Sequence, residues 1–287
     1  MTTLITARNL KKSYGSFEAL KGIDLDIHKG QITGIIGANG AGKTTLINTI
    51  LGLTDYDGDL NVLGFDPYRE RNALMKQVCF ISDVATLPKW MKVYETIDFV
   101  EGVHPGFNRD KALDFLNGTA VSLEKKIRQL SKGMIVQVHL ALVMAIDAQL
   151  LVLDEPTLGL DILNRKKFYH QLLEDYYDEE RTILITTHQV DEIENLLTDV
   201  IFIREGRILQ AATMEQIAES WLVLHPRREN LDAARALEPV SERTTLGRTS
   251  MIFHGRPRQE LEDLGDISRL SLSDLFVTLM NETQSPV

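Results

Sequence analysis

Cysteine is nearly absent from this chain, whose 287 residues include a single one, Cys79. One cysteine cannot form an internal disulfide, and it cannot build a cysteine-rich metal site. This usage fits a reducing compartment.

Long apolar runs are also missing. The longest mostly apolar stretch, residues 134–146, is interrupted by Gln137 and His139, whereas a membrane-spanning helix needs about 20 apolar residues. The N-terminus lacks the basic and then apolar layout of a signal peptide. We therefore do not expect this chain to span a membrane by itself.

Basic charge is not in excess either. The chain has 31 lysines and arginines against 41 aspartates and glutamates, a net charge of −10. Nucleic-acid-binding domains usually carry a basic face, so we expect no nucleic-acid partner. A hydrophobic content of 44% is ordinary for a globular protein with a substantial core. The length predicts one large domain with an appendage, or two domains.

Two patterns of strand residues predict two kinds of sheet. Alternating polar and apolar residues within 1–30 and 58–64 are typical of antiparallel strands with one solvated face. Continuous apolar runs, typical of buried parallel strands, lie at 32–37, 78–82, 150–153 and 182–187. Helical patterns lie between them, for instance at 43–52 and 161–177. The prediction is an α/β fold in which an antiparallel β lobe precedes a parallel-sheet core.

Two further regions complete the predicted organisation. Residues 84–146 read as a helical lobe inserted into the α/β core, which we place at 1–219. Residues 220–287 mix strand-like and helical segments and predict a small α/β appendage without a phosphate or metal site. Its last helix has a capping-box pattern, Ser271 with Asp274, and is expected to dock on its own domain. The apolar face of that helix comprises Leu272, Leu275, Phe276, Leu279 and Met280.

The segment "GANGAGKTT" (37–45) follows a buried strand and precedes a helix, the setting of a P-loop. Glycines let backbone N–H groups surround phosphates, Lys43 places a cation against the β- and γ-phosphates, and the Thr44 hydroxyl can hold Mg²⁺. The residues predicted to bind the nucleotide here are Gly37, Asn39, Gly40, Ala41, Gly42, Lys43, Thr44 and Thr45.

Polar side chains follow the other buried strands. In "LLVLDEPT" (150–157), Asp154 and Glu155 follow the apolar strand. Because successive strand side chains diverge, one can hold the Mg²⁺ shell while the other faces the attacking water as general base. His188 follows the strand 182–187, where it could contact a γ-phosphate, and Asp83 follows the strand 78–82. Ligands bind at the carboxyl ends of strands in open α/β sheets, so we expect these residues to converge.

A second helix start that could bind an anion lies at "QLSKGMIVQV" (129–138). The Ser131 hydroxyl and the first free N–H groups of the helix would face a ligand, with the helix dipole behind them. The alternative is a plain helix cap without a ligand.

The chain contains, in this order, Tyr14, "GANGAGKTT", "LSKGM", "LLVLDEPT", "GLD" (159–161) and "TTH" (186–188). With these segments in this order, it resembles the ATP-binding-cassette ATPases of ABC transporters over about residues 3–215. The resemblance implies ATP and Mg²⁺ as ligands. It implies that Tyr14 stacks on adenine, that Asp154 and Thr44 hold the metal, that Glu155 is the catalytic base, and that His188 grips the γ-phosphate.

The resemblance also explains the second helix start. "LSKGM" occupies the place of the family's "LSGGQ", which reaches the ATP held by another subunit. Ser131, Gly133 and Asp161 are thus expected to act in trans, and two chains would sandwich two ATPs. Lys132 and Met134 depart from the family pattern. Since both composite sites would be complete in a homodimer, we favour one.

Asp83 is a second departure, because the family usually places a glutamine there. A carboxylate also offers a hard oxygen to Mg²⁺, so we expect Asp83 to contribute to the nucleotide and metal site. The alternative is that Asp83 only caps the following turn.

The functional prediction is an ATPase subunit, cytoplasmic and peripheral on the inner face of the cell membrane, that powers a separate membrane-spanning permease. The ending "SLSDLF" and the segment "HPGFN" (104–108) resemble bacterial ABC-2-type exporters. The alternatives are an importer subunit and a soluble ABC protein acting in translation or DNA repair. A P-loop GTPase or small-molecule kinase would leave "LSKGM" and "GLD" unexplained.

Overall fold

The described part of the chain contains thirteen strands and ten α-helices, together with short 3-10 and π-helical segments. The computed structural model describes residues 2–82, 87–157, 160–178 and 180–281. The strands are β1 (Thr3–Tyr14), β2 (Phe17–His28), β3 (Ile32–Ile36), β4 (Asp57–Val62), β5 (Val78–Ile81), β6 (Leu150–Asp154), β7 (Thr182–Thr187), β8 (Asp199–Arg204), β9 (Arg207–Thr213), β10 (Trp221–Pro226), β11 (Ser241–Thr245), β12 (Arg248–His254) and β13 (Gly265–Arg269). The helices are α1 (Lys43–Ile50), α2 (Arg71–Leu74), α3 (Val93–Val103), α4 (Arg109–Asn117), α5 (Lys132–Met144), α6 (Ile162–Gln171), α7 (Met214–Ser220), α8 (Leu231–Ala236), α9 (Arg258–Glu262) and α10 (Leu272–Asn281).

The central sheet has the strand order β5-β6-β7-β3-β8-β9. The first five strands are mutually parallel, and β9 closes one edge antiparallel to β8. Every residue of β3, β6 and β7 is buried, because helices and the neighbouring lobes cover the sheet. The parallel-sheet core predicted from the continuous apolar runs is therefore confirmed.

The N-terminal lobe is a three-stranded antiparallel sheet of order β2-β1-β4. Its strands alternate: in β2, Ile23, Leu25 and Ile27 are buried, while Asp24 and Asp26 face outwards. The buried side chains form one apolar cluster with α1 and with the face of the central sheet that α1 covers. This packing confirms the predicted antiparallel lobe and brings the turn between β1 and β2 next to the start of α1.

The helical lobe contains α3, α4 and α5 around a cluster of its own. Helix α5 has two apolar sides. Val138 and Leu142 pack inside the lobe, whereas Leu140 and Val143 belong to the main core beneath the central sheet. A helix that is apolar on several sides is buried by two partners, so α5 fastens the lobe to the sheet.

Residues 221–269 form the C-terminal unit, a β-α-β-β-α-β arrangement. Its antiparallel sheet has the order β11-β12-β10-β13. The unit has a small core of its own, in which α8 and α9 cover one face of the sheet. Leu261 of α9 belongs to the same buried cluster as Leu224 of β10 and Phe253 of β12. The predicted α/β appendage is confirmed, with four strands.

Helix α10 returns from the C-terminal unit to the main core. Leu272, Leu275 and Leu279 are buried there, and the Phe276 ring stacks on Phe202 of β8 with centroids 6.4 Å apart. The helix therefore docks on its own chain, as its apolar face predicts. No helix among the described residues combines the length and apolarity needed to cross a membrane.

Candidate active site

The P-loop runs from the end of β3 to the start of α1 and forms the floor of a cleft of about 390 Å³. Gly42 has a φ of +108°, and a Cβ at this position would lie 3.0 Å from the Ala19 carbonyl oxygen. Only glycine fits this combination of left-handed backbone and close approach. The cleft is lined by Phe17, Ala19, Asn39, Gly40, Ala41, Gly42, Lys43, Thr44, Thr45, Glu155 and His188.

Lys43 is a buried cation at the floor of the cleft, with 7% of its side chain exposed. Its Nζ donates to the carbonyl oxygens of Gly37 at 2.7 Å and Ala38 at 3.3 Å, and lies 3.8 Å from Glu155 Oε1. Burial lowers the pKa of Lys43, and the neighbouring carboxylates of Glu155 and Asp154 oppose that shift. Phosphate oxygens at this place would stabilise the charged ammonium further.

Asp154 and Glu155 are held by one residue of the adjacent strand, Thr186, which pairs with Asp154 in the parallel register. The Thr186 hydroxyl donates to Asp154 Oδ1 at 2.5 Å and accepts the Glu155 N–H at 3.1 Å. The backbone of Glu155 turns into the left-handed region, with a φ of +52°. Thr186 therefore fixes the Asp154 carboxylate and the backbone of Glu155, and the left-handed turn at Glu155 ends the strand.

The Glu155 carboxylate lies between a cation and an imidazole. Its Oε1 faces Lys43, and its Oε2 lies 2.7 Å from Nδ1 of His188. Glu155 is 22% exposed and His188 40% exposed, so both reach the mouth of the cleft. The structure thus brings together the two residues that the sequence predicts as catalytic.

Thr44 and Asp154 are the predicted metal ligands among the described residues. Within those residues, no group of three or more His, Cys, Asp or Glu side chains could hold an ion by itself. Mg²⁺ does not require such a cage, because it is commonly held by one or two protein oxygens together with substrate phosphates and waters. The exposed Thr44 lines the cleft, and the Asp154 carboxylate at the end of β6 is close enough to act electrostatically on Lys43. These two oxygen donors therefore suit Mg²⁺ bound with a nucleotide.

The predicted adenine platform, Tyr14, is half exposed at the end of β1, directly opposite Phe17 in the antiparallel pair. Phe17 lines the cleft, and 64% of its surface is exposed. Tyr14 is not among the lining residues, and Lys12 Nζ lies 5.0 Å from the centre of its ring. The structure therefore adds Phe17 as an aromatic side chain beside the P-loop, and the stacking role of Tyr14 stays a prediction.

The residues predicted to act in trans lie together, away from the lining of this chain's own cleft. Ser131 caps α5 and accepts the Met134 N–H at 3.2 Å, and Asp161 caps α6 by accepting the Asn164 N–H at 2.9 Å. The Asn164 side chain lies close to both helix starts, since its Oδ1 would be 2.8 Å from a Cβ placed on Gly133. The Asn164 backbone N–H holds the pKa of Asp161 below its usual range.

Two predicted positions fall outside the described residues: Asp83, and Gly159 of "GLD". Two residues that contribute to the site had no role predicted from the sequence: Phe17, and Thr186, which was quoted only as the first residue of the "TTH" segment. A threonine that follows isoleucine in the apolar run "TILITT" carries no local signal of a polar role. Only the pairing of β6 with β7 places its hydroxyl against Asp154.

Known proteins with similar sequences are ATP-binding proteins of transport systems. A sequence profile of the family described as ABC transporter matches residues 20–158. The tungstate uptake system ATP-binding protein TupC of Peptoclostridium acidaminophilum is 33% identical over 213 residues, which cover 72% of this chain and 97% of TupC. The Nod factor export ATP-binding protein I of Cupriavidus pinatubonensis is 29% identical over 298 residues, covering 97% of this chain and 91% of that protein.

Solved structures show the same fold. A structure of the ATP-binding subunit of an ABC transporter superposes with a TM-score of 0.65 and 24% sequence identity. The match covers 75% of this chain and 92% of that chain. At 24% identity, this similarity shows that the two chains share a fold.

Proposed function

This chain belongs to the family of ABC transporter ATP-binding proteins, and we propose that it powers a separate membrane permease that exports its substrate. The resemblance predicted from the sequence is thereby confirmed, and the chain binds ATP and is an ATPase. We infer the direction of transport from the share of this chain that aligns with each relative. The Nod factor export relative aligns with 97% of this chain, whereas the tungstate uptake relative aligns with 72%. An importer subunit is the second candidate, because TupC has the higher identity of the two.

In the proposed reaction, water attacks the γ-phosphorus of ATP and Glu155 accepts the proton of that water. The bond from phosphorus to the bridging oxygen breaks, releasing ADP and phosphate. Lys43 stabilises the charge of the β- and γ-phosphates, and His188 contacts the γ-phosphate. The observation that carries this assignment is the position of the Glu155 carboxylate, 3.8 Å from Lys43 Nζ and 2.7 Å from His188 Nδ1 at the mouth of the cleft.

Magnesium is proposed to be held by the Thr44 hydroxyl and the Asp154 carboxylate. When bound, Mg²⁺ neutralises charge on the β- and γ-phosphates. The protein's contribution is to fix Asp154 by the hydrogen bond from Thr186 and to present Thr44 from the first turn of α1. Asp83, the third predicted ligand, remains a prediction.

The active assembly is proposed to be an ATP-bound homodimer attached to the permease on the inner face of the membrane. Ser131, Gly133 and Asp161 are grouped at the starts of α5 and α6 but do not line their own chain's cleft. A second chain would place these groups over the nucleotide. The start of α5, capped by Ser131, supports this arrangement because helix N-termini bind phosphates.

The catalytic assignment is tested by three substitutions in the full chain. Glu155→Gln and His188→Ala should remove most Mg²⁺-dependent ATP hydrolysis, by about 10²- to 10⁴-fold for loss of a general base, while nucleotide binding persists. Lys43→Ala should weaken binding itself. Glu242→Gln is the matched control, because that carboxylate pairs with Arg235 in the C-terminal unit, and it should hydrolyse at the normal rate. Full activity of Glu155→Gln would contradict the assignment.

The transport role is tested by purifying the tagged chain from solubilised membranes and reconstituting the complex in proteoliposomes. We expect a multi-span membrane protein to co-purify and to change the rate of ATP hydrolysis. Export predicts that a compound stimulating hydrolysis moves away from the side on which the chain hydrolyses ATP. Movement towards that side would establish the importer alternative, and the absence of any membrane partner would favour a soluble ABC protein.

A further inference from the structure

Helix α10 lies against the segment that follows His188, defined here as the His188 loop (residues 188–192). Val190 of this loop and the next residue, Ile193, are buried in the same cluster as Leu272, Leu275 and Leu279 of α10. The apolar side of the loop thus rests on the C-terminal helix. Its other end continues directly from β7, the strand that carries Thr186.

Polar contacts fix the position of the loop on α10. The Ser273 hydroxyl of α10 donates to Asp191 Oδ1, three residues after His188. At the other end of the helix, Arg204 Nη1 donates to the carbonyl oxygens of Leu279 at 3.4 Å and Met280 at 3.3 Å. Helix α10 is therefore anchored near both ends, and Ser273 is the hydroxyl through which it holds the loop.

A second element, helix α6, also holds the His188 loop. Arg165 donates through Nη1 to Gln189 Oε1 and, at 2.6 Å, to Glu192 Oε1. Its Nε donates to the Leu160 carbonyl oxygen at 2.8 Å, beside the predicted trans residue Asp161. The loop thus makes side-chain contacts with two elements distant in sequence, and among its described side-chain hydrogen-bond partners Ser273 is the one from the C-terminal region.

We propose that Ser273 and Asp191 are positioning residues for ATP hydrolysis, through which α10 holds His188 against Glu155. This proposal rests on the catalytic role proposed for His188. A hydrogen bond between a hydroxyl and a carboxylate is charge-assisted, so it resists displacement of the loop. Since catalytic groups must be held close to their productive geometry, a looser loop lowers kcat more than it weakens ATP binding.

Packed side chains also join helix α10 to the C-terminal unit. Two residues separate β13 from α10, and Leu270, one of them, is buried in the main core. Trp221, at the start of β10, is buried in that same cluster. The C-terminal region is therefore joined to the catalytic loop through packed side chains, and the role of α10 gives this accessory region an effect on turnover.

The test compares Ser273→Ala and Asp191→Ala with wild type, using full-length purified chains and Mg·ATP. We expect kcat to fall roughly tenfold with an unchanged KM for ATP. Asp191→Asn keeps an acceptor oxygen and should recover most of the rate. Because the two residues act through one contact, the double alanine variant should fall no further than either single variant.

Ser271→Ala is the matched control. Ser271 caps the same helix by accepting the Asp274 N–H at 3.1 Å, and its hydroxyl donates to Asp274 rather than to the His188 loop. It should lower Tm while leaving kcat unchanged at temperatures where the chain is folded. Equal losses of kcat in Ser271→Ala and Ser273→Ala, or a loss of Tm alone in Ser273→Ala, would overturn the positioning role.

His188→Ala is measured in parallel so that two failures can be told apart. Normal hydrolysis by His188→Ala would overturn the proposed catalytic role of that residue. Loss of hydrolysis in His188→Ala with a normal kcat in Ser273→Ala would overturn only the positioning role of α10.

Discussion

Replacing Thr186 by valine tests how the strand end fixes the Asp154 carboxylate and the Glu155 backbone. Thr186 is fully buried, and valine has nearly its shape, so the substitution removes a hydroxyl without opening a large cavity. Asp154 loses a hydrogen bond donated at 2.5 Å, and the Glu155 N–H loses an acceptor at 3.1 Å. The Glu155 N–H keeps the Thr186 carbonyl oxygen at 3.2 Å, so the main loss falls on Asp154.

The size of the effect follows from the charge of Asp154. A hydrogen bond to a charged group contributes about 1.5–3 kcal/mol, and a buried partner left unsatisfied adds a desolvation cost. We therefore expect the free energy of unfolding to fall by about 2 kcal/mol. Loss of orientation at Asp154 and Glu155 should also reduce kcat, by roughly 10- to 100-fold.

Thr33→Val is the matched control in the same sheet. Thr33 of β3 is also buried, but its Oγ1 has no hydrogen-bond partner among the described residues. Removing a buried hydroxyl without a partner is neutral or stabilising, so the free energy of unfolding should stay the same or rise by about 1 kcal/mol. The ATPase rate should not change.

Urea unfolding monitored by circular dichroism gives the two free energies, and steady-state hydrolysis of Mg·ATP gives kcat. A Thr186→Val variant that matches wild type in both stability and kcat would refute this role of the Thr186 hydroxyl. A Thr33→Val variant that loses as much stability as Thr186→Val would refute it equally, since the hydroxyl at Thr186 would then have no special role.

Three further predictions concern other parts of the chain. Gly133→Ala would place a Cβ 2.8 Å from Asn164 Oδ1 and should impair ATP-dependent association, measured by light scattering, without weakening nucleotide binding to the single chain. Phe17→Ala should weaken ATP binding roughly tenfold in a fluorescence titration, and more than Tyr14→Ala, because the Phe17 ring lines the cleft. Burial raises the pKa of Glu194, so the stability that its protonated form contributes is lost as the pH rises through that raised pKa. Urea titrations should therefore show Glu194→Gln to be more stable than wild type at neutral pH but not in acid.

Local signals account for the parts of the fold that could be predicted from the sequence. The strands β3, β6 and β7 are unbroken apolar runs because they are buried on both faces. The P-loop is recognisable because its chemistry depends on neighbouring residues within one turn. For the same reason Lys43 is recognisable within the P-loop motif at the start of α1, and Glu155 and His188 are recognisable directly after buried strands.

Non-local pairing accounts for what could not be predicted. Strand β11 has the sequence "SERTT" and lies at the edge of the C-terminal sheet with most of its side chains exposed, so it carries no apolar alternation. The role of Thr186 depends on the register between β6 and β7, and that of Phe17 on the packing of the N-terminal lobe beside Gly42. The contact of Ser273 with Asp191 joins residues 82 positions apart.

We propose that two chains enclose ATP and that Glu155 then acts as the base in its hydrolysis. Size-exclusion chromatography of Glu155→Gln with Mg·ATP tests this mechanism most directly, because the variant keeps Lys43 and the P-loop but lacks the base. We predict a shift from monomer to dimer with ATP, no shift with ADP, and intact ATP recovered from the dimer peak. A monomer at every protein concentration, or ATP hydrolysed at the wild-type rate, would contradict the account.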